Sequence, residues 1–172
     1  MADRARAGRA DAARPDPEID PCSVARTLAV VGERWTLLVL REAFYGVRRF
    51  ADIQARLGVA RNLLAARLAT LVEHGILVRS PYRDPGSRVR EEYRLTDRGR
   101  ELFPILVALM QWGDAHLADP TGPSVLIEHR DCGRPVRAEL RCTAGHKGLG
   151  ARDTRAVHRS GSESGPGRPA RC

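Results

Sequence analysis

Residues 50–95 read FADIQARLGVARNLLAARLATLVEHGILVRSPYRDPGSRVREEYRL, and the apolar spacing within them decides the architecture. Phe50, Ile53 and Leu57 recur at helical intervals, and Gly58 closes that helix with a residue that accepts a left-handed backbone. After a tight turn the period resumes from Ala60, with Leu64, Leu68, Leu71 and Val72 on one stripe and His74-Gly75 at the end. Ile76, Leu77 and Val78 are too few and too β-branched to continue a helix, so they read as a strand, with residues 92–95 as its partner. Asp84-Pro85-Gly86 supplies turn chemistry between the two. Helix, turn, helix and hairpin in this order predict a mostly α fold with a small β-hairpin wing, a winged helix-turn-helix, followed by a small C-terminal appendage.

The face of the second helix opposite its leucines carries Asn62, Ala65, Ala66, Ala69 and Glu73, flanked by Arg61 and Arg67. Apart from Glu73 at the far end, the central side chains are short enough to let a helix enter a groove about 12 Å wide, the major groove of duplex DNA. Arg61, Asn62, Ala65, Ala66 and Arg67 are therefore the expected base-reading and flanking residues. The hairpin carries Arg79, Arg83, Arg88 and Arg90; such a loop suits phosphates or the minor groove. Taken alone it is equally an ordinary solvated turn, and its position after two helices tips the reading to DNA. Arg48 and Arg49, just ahead of the first of these helices, are read either as a phosphate clamp or as a solvated loop.

Upstream, Asp20 is placed at a helix N-cap, with Pro21 in the first helical position and Cys22 in the first turn. Val24, Leu28 and Val31 give that helix an apolar edge, Gly32 ends it, and Trp35 with Leu37, Leu38 and Leu40 anchors the core from the next. Downstream, Thr96 caps a last long helix with Asp97 in its first turn, and Pro104 predicts a kink or break near residues 100–103. Leu102, Ile105, Leu106, Leu109, Trp112 and Leu117 form an apolar surface wider than so small a domain needs. A second copy of the chain covers it in one reading, and an intramolecular cap in the other.

The residues that carry a family resemblance are Cys22, residues 32–40 (GERWTLLVL), the two helices above, and residues 95–102 (LTDRGREL). On these the chain resembles the HxlR family of bacterial winged-helix transcription regulators, relatives of the MarR group, over residues 21–118. The resemblance implies a homodimer on a palindromic double-stranded operator, repression of its own or an adjacent promoter, and a response to a small molecule or a redox signal. Several family members sense oxidants through a cysteine matching Cys22, whose place at a helix start, among exposed amides, favours a thiolate. A small residue packed under the helix is the other reading. Some relatives also carry an HxxC segment followed by a CxxC knuckle. In this chain His129, Cys132, Cys142 and His146 stand in that order, with Gly145 at the position of the second CxxC cysteine. Either His146 replaces that ligand in a zinc site or the segment is a remnant without metal.

The chain has 172 residues and a formal charge of +8, with 29 Lys and Arg against 21 Asp and Glu. That length holds one domain of about 100 residues plus tails. The division read from composition is an N-terminal arm at 1–20, the winged helix at 21–118, a Cys/His appendage at 119–153 and a Gly, Ser, Pro and Arg tail at 154–172, with arm and tail expected to be disordered. No apolar run approaches the roughly 18 residues a membrane span requires, and the N-terminus lacks a secretory core, which places the chain in the cytoplasm. There is no phosphate-cradling glycine loop, HExxH, GxSxG or carboxylate pair that would call for catalysis, and no cofactor is required. The alternative class is a winged-helix protein-interaction module without specific DNA binding, which would be expected to lose its basic wing.

Overall fold

The computed structural model describes residues 22–117 and 120–157. The expected arm at 1–20, the cap at Asp20 with Pro21, and residues 158–172 of the expected tail lie outside the described residues. Six α-helices and one hairpin follow in order among the described residues: α1 (Ser23–Val31), α2 (Arg34–Phe44), α3 (Phe50–Leu57), α4 (Arg61–Glu73), β1 (Leu77–Tyr82), β2 (Arg90–Leu95), α5 (Asp97–Arg100) and α6 (Phe103–His116). No described helix is long and apolar enough to cross a membrane.

The helix boundaries follow from local chemistry. Gly58 takes φ 62° and donates its N–H to the Gln54 carbonyl, ending α3, while the Gln54 side chain donates to the Val59 carbonyl and fixes the turn into α4. At the end of α4 the N–H groups of Gly75 and Ile76 bond back to the carbonyls of Val72 and Leu71, a closure that needs the positive φ at Gly75. Cys22 is not within the first turn, as expected, but is itself the N-cap. Its φ and ψ of −59° and 117° are non-helical, and its carbonyl accepts the first helical bond from Arg26 N–H at 3.1 Å.

One core holds these elements. Leu64, Leu68 and Leu71 on α4 are buried with Val39 and Leu40 of α2, Ile53 of α3, Val31 of α1, and Ile76 and Leu77 at the hairpin entrance. Each such side chain withdrawn from water contributes about 1.5–3 kcal/mol. Trp35 is half-buried against this cluster with the Arg34 guanidinium 5.1 Å from its ring centroid, which agrees with a packing role. Glu42, 2% exposed, is the cluster's buried charge; it accepts from Arg41 and Arg56, so the carboxylate is desolvated but satisfied.

The hairpin is longer than the sequence reading, which began β1 at Ile76, stopped it at Val78 and began β2 at Glu92. Its register runs from Leu77 opposite Leu95 to Tyr82 opposite Arg90. The added rungs carry the Arg79 and Glu91 ion pair, and Pro81 is tolerated because β1 is an edge strand. On the other side of β2, Tyr93 N–H bonds to the Arg48 carbonyl and Arg49 bridges to Glu92, so the Arg48-Arg49 connection is a third rung of the wing.

The break expected at Pro104 separates α5 from α6, and Pro104 sits in the first turn of α6 where its missing N–H costs nothing. Thr96 Oγ1 accepts from Gly99 N–H at 3.0 Å and donates to the Gly75 carbonyl at 2.6 Å, which staples the start of α5 to the end of α4. The expected apolar surface of the last helix divides. Leu102 and Leu106 pack against the core, whereas Ile105, Leu109, Trp112 and Leu117 remain exposed.

Beyond α6 the chain makes two tight turns closed by backbone bridges, Glu128 with Pro135 and Arg141 with Lys147. They hang on α6 through Gln111, whose amide donates to the Val136 carbonyl at 2.7 Å and whose carbonyl accepts from Ala138 N–H at 2.9 Å.

Two outcomes are expected. A Cβ at Gly99 would overlap the Ile76 carbonyl oxygen, so Gly99→Ala should lower unfolding free energy by about 1–3 kcal/mol in a denaturant titration. Gln111→Ala removes both bonds to residues 136–138. It should speed trypsin cleavage after Arg130 and Arg137 while leaving the melting of residues 22–117 unchanged.

Candidate nucleic-acid interface

With its leucine stripe turned into the core, α4 presents Arg61, Asn62, Ala65, Ala66, Ala69 and Glu73 to solvent. From Asn62 to Ala69 that outer face is a shelf of small side chains. Arg61 leads it, with its guanidinium 5.1 Å from the Phe50 ring centroid, so it is steered from the start of α3 without being neutralised. The helix N-terminus adds its own positive end to that edge.

The structure places the other expected contact residues in two groups. Arg83, Arg88 and Arg90 are exposed at and beside the wing tip, and Arg48 is exposed beside β2. Arg83 Nε donates to the Ser87 carbonyl at 2.9 Å and closes the turn in which Ser87 N–H bonds to the Asp84 carbonyl. Arg49 and Arg67 are instead engaged within the protein. Arg67 is half-buried and reaches Glu33 at the head of α2 at 3.3 Å, because its position on α4 leans toward the core rather than the shelf. Arg49 Nη2 reaches Asp84 Oδ1 at 2.7 Å and its guanidinium lies 4.4 Å from the Tyr82 ring centroid. The Asp84 hydrogen bond raises the Arg49 pKa above its already high ordinary value. The sequence reading gives Asp84 as a turn residue only and ends the first strand short of Tyr82; the separation of 35 positions between Arg49 and Asp84 leaves no local signal of their pairing.

Two further features bear on ligands. An apolar cleft of about 290 Å³ lies between α2 and α6, lined among others by Leu37, Leu38, Phe44, Phe103, Met110 and, from the segment after α6, Ile127. Of the four expected zinc ligands the structure brings two together, Cys142 Sγ and His146 Nδ1 at 3.2 Å. His129 and Cys132 lie on the other turn, both exposed, and among the described residues no three His, Cys, Asp or Glu side chains form a metal-binding group. The CxxGH segment folds on backbone bonds, Cys142 N–H to the His146 carbonyl and Gly145 N–H to the Cys142 carbonyl. As they are arranged here, the four side chains are not gathered into the tetrahedral site that zinc takes.

The fold is shared with known proteins. A family model described as HxlR-like helix-turn-helix matches residues 30–120. The chain is 52% identical over 122 residues to an uncharacterised HTH-type transcriptional regulator of Mycobacterium tuberculosis (strain H37Rv), covering 70% of this chain and 75% of that one. It is 39% identical over 93 residues to an uncharacterised HTH-type transcriptional regulator of Synechocystis, covering 54% and 67%. Among solved structures, PA1607, a candidate transcription factor, is 47% identical with a TM-score of 0.71 over 80% of this chain and 94% of that one. The redox regulator HypR in its oxidised form is 28% identical, with a TM-score of 0.51 over 57% of this chain and all of that one. With the stapled pair of helices, the hairpin wing and this match across most of the described winged helix, the chain belongs to the HxlR-like helix-turn-helix family of transcriptional regulators.

Proposed function

We propose that residues 21–118 form a homodimeric, sequence-specific DNA-binding repressor, and that residues 119–153 are an appendage to it. The observation that carries this reading is the small-residue shelf on α4, headed by Arg61 and Asn62 and backed by a buried leucine stripe. A helix so built enters the major groove with Asn62 at base edges, while Arg48, Arg83, Arg88 and Arg90 neutralise phosphates on either side.

The dimer rests on exposed apolar side chains of two helices. Val24 and Leu28 on α1 are 64% and 55% exposed, and Ile105, Leu109 and Trp112 on α6 are 46%, 51% and 58% exposed. A second copy would bury them and set two recognition helices about 34 Å apart, one turn of duplex. Because both half-sites contribute, anything that shifts α1 or α6 alters operator affinity. Two inputs fit. The apolar cleft between α2 and α6 has the size for a small aromatic effector. Cys22 caps α1, the helix that carries Val24 and Leu28, so its modification by an oxidant or electrophile would act at the dimer face. The oxidised state of HypR, a structural relative, supports that second input.

Four outcomes test the reading. Fluorescence anisotropy on a labelled duplex from the region upstream of the chain's own coding sequence should show site-specific binding, and Arg83→Ala and Arg88→Ala should each lower the slope of log affinity against log salt by about 0.9. Asn62→Ala should reduce discrimination against a scrambled duplex instead, by about 1–3 kcal/mol; equal binding of the wild type to both duplexes would remove the operator assignment. In equilibrium sedimentation at micromolar concentration the wild type should be a dimer and Trp112→Glu a monomer. Diamide should lower operator affinity of the wild type and leave that of Cys22→Ser unchanged.

A further inference from the structure

Within the wing tip, residues 83–89, Asp84 is the acidic residue among Arg83 and Arg88. On a surface meant for phosphate it is an electrostatic liability, and on charge alone its removal should tighten DNA binding. Its surroundings give it another role. Arg49 Nη2 donates to Asp84 Oδ1 at 2.7 Å, the same guanidinium stacks 4.4 Å from the Tyr82 ring centroid, and the pair spans from the N-cap of α3 to the far end of the hairpin. Both ends are anchored. The Arg49 main chain is bridged to Glu92 on β2, and the Asp84 carbonyl receives Ser87 N–H in the turn that Arg83 closes.

We propose that Arg49, Asp84 and Tyr82 form a strut that sets the angle of the wing against the helix pair, which makes Arg49 and Asp84 positioning residues for Arg83 and Arg88 rather than contacts to DNA. This rests on the reading of the chain as a DNA-binding regulator. A two-stranded hairpin with one unpaired edge has little else to hold its tip. The rungs that Arg48 and Arg49 make with β2 fix its base, and the strut fixes the end that carries the arginines. The guanidinium suits this because it offers a flat face to Tyr82 and directed N–H groups to Asp84 at once, which a lysine ammonium cannot do.

The test is a sign. Full-length wild type, Asp84→Asn, Arg49→Lys and the exchange Arg49→Asp with Asp84→Arg are titrated by anisotropy against the upstream duplex at several salt concentrations, with thermal melts to confirm folding. The strut requires Asp84→Asn to bind about two- to fivefold more weakly than wild type although it is one charge more positive, the size expected for loss of a partly exposed ion pair. It also requires a shallower salt slope although Arg83 and Arg88 are intact, a loss for Arg49→Lys, and partial recovery in the exchange. Unchanged or tighter binding by Asp84→Asn, with wild type binding specifically, overturns the strut and leaves the DNA reading standing. Failure of the wild type to prefer the upstream duplex over a scrambled one, across the same salt range and with other genomic duplexes, defeats that reading and the strut with it.

Discussion

Burial of Leu64, Leu68 and Leu71 against Val39, Leu40 and Ile53 is the constraint on which the rest of the molecule depends. Three leucines at intervals of four and three commit one face of α4 to the interior, and the opposite face has then to be outward. Placing small residues there makes the exposed side of the helix thin, so the packing that stabilises the domain and the shape available to a groove are two consequences of one register. A turn of α4 by even one residue would bury Arg61 or Ala65 and expose a leucine.

Charge is arranged around that core in two ways. Glu42 is buried and holds Arg41 and Arg56, joining α2 to α3 beneath the surface. Satisfied in this way it leaves no orphaned charge, though an ion pair of this kind contributes more to a defined arrangement than to net stability. At the surface, Glu33 takes Arg67 and Asp84 takes Arg49, while Arg48, Arg61, Arg83, Arg88 and Arg90 form none of the described ion pairs. A basic chain thus separates its arginines into those that hold elements together and those that remain available to a polyanion. Net charge alone hides that division.

Much of this was legible in residues 50–95 because the information is local. Periodicity gave α3 and α4, Gly58 and Gly75 gave their ends, Thr96 gave the start of α5, and Pro104 gave the break before α6. Strand length was less legible: Arg79 to Tyr82 carries no apolar alternation, and only the partner strand and the Arg79 to Glu91 pair extend it. The division of Leu102 and Leu106 from Ile105, Leu109 and Trp112 also escaped the sequence, since a helix that is apolar nearly all round does not declare which side meets its own core.

The sequence by itself therefore determined the order of the elements, the outward face of α4, the family resemblance and the basic character of the wing, all of which rest on spacings of a few residues. The tertiary structure alone decided which arginines are spent inside the protein, that Cys142 meets His146 without the other two expected ligands, and that Gln111 carries the segment after α6. The first of those outcomes depends on pairs such as Arg67 with Glu33 and Arg49 with Asp84, separated by 34 and 35 positions. Their meeting is set by the angles at which packed helices and strands cross, and crossing angles are a property of the assembled core, which no short stretch of chain contains.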